Sequence, residues 1–235
     1  ELIKSITYKD GEQIKDTVPA KFDYPITNKG YAIVLGNGLS RLKLKLDDYM
    51  SNAGGLRQRN RAEVYGCNAI YREGDVDHLI ITNNNLLDHA IDEQRVYNRM
   101  PIYTTYNNWL KYSDNKKSRV IPQKLLGDAG TLAMYLACFQ GSHTVYLAGF
   151  DGLFAPNIYK GTAFYSKEDH TEFEWRKWEA TQKQIMEIYS NVKFYHVIPS
   201  MNYAKNSSWK NLKNLYRITY KEFINAADIS KVITY

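Results

Sequence analysis

The sequence predicts an α/β fold with a largely parallel sheet flanked by helices. Short apolar runs alternate along the chain with helix-length segments, the pattern of strand–helix–strand units. Most runs stop at Gly, Asn or Asp, residues that close a buried strand with an exit loop. The 235 residues, 44% hydrophobic and 24% charged, are enough for one domain with its own core.

Residues 1–29 show no strong period, and Pro19 and Pro25 interrupt any helix, so this stretch is expected to be an irregular N-terminal arm ahead of one domain over 30–235. Tyr31–Leu35 is the first strand, ended by Gly36-Asn37-Gly38. The following LSRLKLKLDDYMSNAGG is ambiguous between helix and strand. Ala62–Cys67 and His78–Thr82 are the next strands, leading into Asn68 and Asn83. A helix is expected over Leu86–Tyr97, and short strands over Pro101–Thr104 and Arg119–Ile121. Asp128 is placed to cap a helix over Ala129–Gln140, with Gly141 as its stop. Thr144–Ala148 is a strongly apolar strand closed by Gly149-Phe150-Asp151. Gly152–Tyr165 is a loop, part of a lid segment over about 152–170. Asp169–Tyr189 forms a long helix with Phe173, Trp178, Ile185 and Ile188 near one face. Val192–Val197 is a last strand, and polar and aromatic helical segments follow to Tyr235.

The net charge of +6 is spread along the chain rather than gathered into a stripe with interleaved aromatics, which argues against nucleic acid as partner. There is no apolar run of about 18 residues. The start, ELIKSITYKDGEQ, lacks the basic-then-apolar layout of a signal peptide. Cys67 and Cys138 sit in apolar contexts without metal-ligand spacing, as buried thiols of a reducing compartment do. A cytoplasmic protein is expected, with the inner face of a membrane as a place of peripheral contact.

In an open parallel sheet, ligands bind beyond the carboxyl ends of the strands. The residues delivered there are Asn37, Gly38 and Ser40, then Asn68, Asn83, Gly149 and Asp151, with Gly130 and Thr131 opening a helix. Gly36 and Gly38 would let a ligand approach the backbone, and the Asn amides would read a base or sugar edge. A site rich in Asn and Gly and poor in charge suits a base and ribose better than a metal. The helix opening at Gly130 could present backbone N–H groups to a phosphate. GNGLSR has no third glycine for the usual dinucleotide fingerprint, the P-loop pattern is missing, and no Asp-x-Asp motif of metal-dependent nucleotide-sugar transferases is found.

These residues resemble glycosyltransferase family 42, the bacterial lipooligosaccharide sialyltransferases. That family has G-N-G-P-S after its first strand, C-N-x-x-Y next, and a strand ending in Tyr-Asn. It then has a small-residue helix start, an alanine-rich helix and a strand Y-L-S-G-I-D. Here the matching segments are GNGLS at 36–40, Cys67-Asn68-Ala69-Ile70-Tyr71, Thr82-Asn83, and AGTLAMYLACFQGSHTVYLAGFD at 129–151. The resemblance covers roughly 30–200 and implies a Rossmann-like domain with a lid. It implies a CMP-sialic acid or related nucleotide-sugar donor as substrate, no cofactor, no metal, a glycan acceptor and a homo-oligomer. It implies that Asn37 and Asn68 hold the cytidine and ribose, that Gly130 contacts the donor, that Tyr159 bonds the phosphate, and that His170 is the general base. The chain departs from the pattern at Leu39 for proline, Ala129 for serine, Leu126 for arginine and Leu153 for a phosphate-binding tyrosine. Tyr165 or Lys160 are the residues available to compensate. Two other classes stay open: a Rossmann-like nucleotide-binding protein or pterin diphosphokinase-like enzyme using Asp75, Asp77 and Asp151, and a non-enzymatic glycan-binding module.

Overall fold

The computed structural model describes residues 4–9, 12–17, 30–44, 62–111, 118–122, 127–152, 156–166, 170–203 and 207–227. Ten strands are described: β1 Lys4–Lys9, β2 Glu12–Thr17, β3 Tyr31–Leu35, β4 Ala62–Cys67, β5 His78–Ile80, β6 Ile102–Thr104, β7 Ser118–Val120, β8 Thr144–Ala148, β9 Lys193–Ile198 and β10 Leu215–Thr219. Among the described residues the α-helices are α1 Asn84–Asp92, α2 Gln94–Arg99, α3 Tyr106–Leu110, α4 Ala129–Phe139, α5 Glu172–Ile188 and α6 Tyr220–Ala227.

Strands β3 to β10 form one eight-stranded sheet in the order β10-β9-β8-β3-β4-β5-β6-β7, every pairing parallel. The chain builds outward from β3 to β7, then returns to lay β8 on the other side of β3. The six strands β5-β4-β3-β8-β9-β10 therefore carry the doubly wound order 3-2-1-4-5-6, with β6 and β7 added at one edge. The order reverses between β3 and β8, where a crevice opens at the strand ends.

Alternating residues of β3 explain the layers. Ile33 and Leu35 face a core shared with Leu86, Leu87 and Ala90 of α1 and Phe223 of α6. Ala32 and Val34 face the opposite core, with Leu132, Ala133 and Leu136 of α4 and Ile185 and Met186 of α5. Both faces of the sheet are buried, as an all-parallel sheet requires. Helix α4 starts where expected, with the Asp128 side chain accepting from the Thr131 N–H, and Gly141 turns the chain away at φ +97°.

Several expectations change. The N-terminal segment holds an antiparallel hairpin, β1 paired with β2 and Lys9 opposite Glu12, rather than an irregular arm. The helix expected over Leu86–Tyr97 is two helices, broken at Glu93, whose ψ of 95° is extended. Leu39–Lys43 of the ambiguous stretch is a 3-10 turn. Leu215–Thr219 is an edge strand instead of helix. Leu126 and Leu153 lie outside the described residues. No helix among the described residues is long and apolar enough to cross a membrane. Cys67 and Cys138 are buried and unpaired, and burial pushes both thiols up.

Candidate functional site

A cleft of about 800 Å³ lies over the carboxyl ends of β3, β4, β5 and β8, at the reversal of strand order. That volume falls in the range of ordinary ligand sites. Its floor is the pair of strand exits at β3 and β8. The Gly36 N–H donates to the Ala148 carbonyl at 2.8 Å and the Gly38 N–H to the Gly149 carbonyl at 2.9 Å. A Cβ at Gly36 or at Gly38 would stand 2.6 Å from the Gly149 oxygen, and Gly149 itself has φ +75°. The glycines thus serve first to let two backbones cross closely, and not only to admit a ligand.

Ser40 and Asp151 lock this crossing. The buried Asp151 carboxylate accepts the Ser40 N–H at 2.7 Å and also its hydroxyl, and the Ser40 carbonyl accepts from Tyr220. Ser40 is therefore committed beneath the cleft and does not line it. Arg41, fully buried beside it, makes a paired contact with Glu73 at 3.1 and 2.9 Å. Tyr159 completes the cluster. Its hydroxyl donates to Glu73 and accepts from Arg41, and burial pushes it well above the usual phenol range. The expected phosphate donor Tyr159 is thus turned away from the cleft lining. Tyr165 does line the cleft; its buried hydroxyl lacks a hydrogen-bond partner, with Asn68 and the Ala69 backbone as its polar neighbours.

The three asparagines divide their work. Asn37 donates from Nδ2 to the Cys67 carbonyl at 3.4 Å, while its Oδ1 is buried with no partner. Asn68 adopts φ +49°, an angle asparagine tolerates, and its Oδ1 accepts the Thr82 N–H at 3.0 Å. Asn83 caps α1 through the Leu86 N–H and donates to the Phe164 carbonyl at 3.0 Å. All three line the cleft, but Asn83 is largely committed to structure.

Gly130 and Gly149 line the cleft as expected. Thr131 lies one layer below, fully buried, donating to Asp128 and accepting from Gln182 Nε2 at 2.9 Å. Part of the expected lid is anchored rather than loose. Asn157 bridges Gly38, the Ile158 N–H donates to the Asn37 carbonyl, and Arg72 donates to the Ala163 carbonyl.

His170 faces the same cleft from just before α5. Its side chain is 51% exposed, its Nδ1 lies 3.7 Å from Glu174 Oε2, and its ring meets the Trp178 indole edge-on at 4.7 Å. Thr171 and Glu174 form a capping box that fixes the start of α5. The bond to Thr171 holds the Glu174 carboxyl below its ordinary range.

The sequence did not point to the inward face of α5. Trp175, Trp178, Glu179 and Gln182 all line the cleft. Phe173 and Ile188, expected on the buried face, are 67% and 65% exposed. The spacing 175, 178, 179, 182 is itself a helical stripe, hidden because it is half polar. The expectation of a charge-poor site also fails: Asp128, Asp151, Glu174 and Glu179 line it, against Lys160 and His170. Asp75 and Asp77 are elsewhere, paired with Arg99 and accepting the Val64 N–H. Among the described residues, no three His, Cys, Asp or Glu side chains converge on a metal-sized position.

No family model matches the chain, and no curated protein matches it. Two solved structures follow a similar path. The sialyltransferase CST-II, in complex with a trisaccharide acceptor and CMP, is 15% identical with a TM-score of 0.47, over 86% of this chain and 100% of that one. The sialyltransferase CstII from Campylobacter jejuni, in complex with the substrate analogue cytidine-5'-monophosphate, is 17% identical with a TM-score of 0.44, over 83% of this chain and 97% of that one.

Proposed function

We propose that this protein is a glycosyltransferase that moves a sugar from a CMP-linked donor to a glycan acceptor without a metal ion. The observation that carries the proposal is the buried, unpartnered Asn37 Oδ1 at the strand-order reversal. An unpaired buried acceptor costs free energy of about 1–3 kcal/mol until a ligand donor meets it. An exocyclic amine of a base or a ribose hydroxyl supplies such a donor. Asn68, just past the end of β4, lines the same cleft. The amino end of α4 at Gly130, Lys160 and the unpartnered Tyr165 hydroxyl offer N–H, ammonium and O–H groups to a phosphate.

Transfer then needs one proton removed. The acceptor hydroxyl loses its proton to His170 as its oxygen bonds to the anomeric carbon. The bond from that carbon to the phosphate oxygen breaks, and the electron pair leaves with CMP. Glu174 Oε2 lies 3.7 Å from Nδ1, and the far nitrogen is the one assigned to accept the proton.

The test is a thermal-shift screen of CMP, CDP, UMP, UDP, GDP and ATP, each with and without a divalent cation. CMP alone at 100 times its dissociation constant should add about 2.7 kcal/mol of apparent stability. A shift seen only with a purine nucleotide and Mg²⁺ removes the proposal in favour of a diphosphokinase-like enzyme.

A further inference from the structure

We infer that β9, β10 and the Ser207–Trp209 turn build a second ligand site, which takes a small oxyanion bearing a proton, hydrogenphosphate or bicarbonate. Three nitrogens on this side of the sheet have no hydrogen-bond partner among the described residues: His196 Nε2, Trp209 Nε1 and Arg217 Nε. They come from three elements. His196 on β9 and Arg217 on β10 are register partners in parallel strands, so their side chains leave the same face. The Trp209 ring, from the turn between those strands, meets the His196 ring at 5.2 Å. His196 and Trp209 are only 4% and 5% exposed. A buried polar atom left unpaired costs stability, and three gathered together point to a ligand that satisfies all of them. None of the three lines the cleft, so this site is separate from it.

Chemistry selects the ligand. Trp209 Nε1 and Arg217 Nε are donors only. Arg217 also donates to the Tyr203 carbonyl, but no carboxylate acts on it, and burial lowers its guanidinium. A half-buried cation without a counter-ion calls for an anion. Two carboxylates in this part of the chain are engaged elsewhere, Asp151 with Ser40 and Glu179 with Ser208. His196 narrows the choice. Its Nε2 is unpartnered, so the bond to the Phe150 backbone runs from Nδ1–H, and Nε2 presents a lone pair that accepts. Sulfate or chloride would set negative charge against that lone pair. Hydrogenphosphate and bicarbonate each offer an O–H to Nε2 and charged oxygen to Trp209 and Arg217. The half-buried Arg217 on the edge strand gives such a ligand its way in from solvent. Phe150 lines the cleft between Gly149 and Asp151, so a ligand on Nε2 strengthens the Nδ1–H bond to its carbonyl and steadies the cleft floor.

The experiment titrates inorganic phosphate, bicarbonate, sulfate and chloride into the full chain at constant ionic strength and about pH 7.5, where His196 is neutral. Urea-unfolding midpoints are read for each anion, and phosphorus NMR follows phosphate directly, with and without saturating CMP. Sulfate is the control, since it is excluded from protein surfaces as phosphate is but carries no proton. Phosphate or bicarbonate should raise the midpoint saturably, sulfate and chloride should not, and CMP should leave bound phosphate in place. Trp209→Phe keeps a ring against His196 and removes the N–H, so it should weaken the bound oxyanion by about tenfold or more, as should Arg217→Gln. Saturable sulfate binding of equal strength, no saturable effect of either protonated oxyanion, unchanged affinity in Trp209→Phe, or complete displacement of phosphate by CMP overturns the assignment. Should a variant fail to fold, the preference of the wild-type chain for a protonated oxyanion over sulfate still decides.

Discussion

Single atoms decide most of what the cleft can do. His170 touches the cleft but no core, so its removal is cheap for the fold. His170→Ala should lower turnover by about 10²–10⁴-fold with nucleotide affinity nearly intact. Full turnover in that variant, measured once a donor and acceptor are in hand, makes His170 a surface residue. The two tyrosines give a sharper contrast. Tyr165→Phe removes an unpartnered hydroxyl from the cleft and should weaken CMP binding measured by calorimetry. Tyr159→Phe removes a hydroxyl bound to Glu73 and Arg41 and should lower stability by about 1–2 kcal/mol with CMP affinity unchanged. The reverse outcome restores Tyr159 as the phosphate ligand that the family resemblance implied. The family resemblance implied Tyr159 and kept Tyr165 as a replacement, because nothing in the sequence shows Arg41 and Glu73 folded beneath the loop.

At the level of elements, the strands were legible where an apolar run ended abruptly. YAIVL before Gly36 and TVYLA before Gly149 are buried on both faces, so each reads as an uninterrupted apolar run closed by glycine. LYRIT was missed because β10 is a half-exposed edge strand, so its apolar run is broken by Tyr216 and Arg217. The hairpin was missed despite Asp10-Gly11 between KSITYK and EQIKDT, a recognised turn signal. Helix α5 was found, but its buried stripe was sought among apolar residues while the cleft uses Glu179 and Gln182. The crossing of the β3 and β8 exits gives a prediction of its own. Gly38→Ala drives a Cβ to 2.6 Å from the Gly149 oxygen and against Asp151, and should destabilise by about 1–3 kcal/mol. Gly130→Ala, whose nearest neighbour would be Asp128 Oδ2 at 3.3 Å, should change urea stability by less than about 1 kcal/mol. Equal effects of the two variants contradict the tight crossing.

The whole molecule should be acid-sensitive through one buried ring. His196 on β9 is buried against Trp209 at 5.2 Å, its Nε2 has no partner, and burial with the nearby Arg217 pushes it down to about 4. A histidine lowered on folding binds more protons when unfolded, so its contribution is complete above about pH 6.5 and is lost as pH falls toward 4. Between pH 6.5 and 5 the loss is about 1.6 kcal/mol. Urea unfolding at the two pH values checks this, and His196→Gln should flatten the slope. A wild-type midpoint unchanged over that interval would count against a neutral buried His196.

The return of the chain to β3 also sets an order of events during synthesis. Ser40 and Asp151, the two sides of the crossing, are 111 residues apart. At about 5–20 residues per second, a ribosome needs roughly 5–20 s to deliver the second after the first. Once β4 has been made, and until β8 follows, β3 can pair on one side only and leaves an apolar edge on the other. Such an edge is a template for pairing with another chain. The nascent protein is thus most prone to aggregate in the middle of translation, and a chaperone that shields this edge acts before the cleft exists.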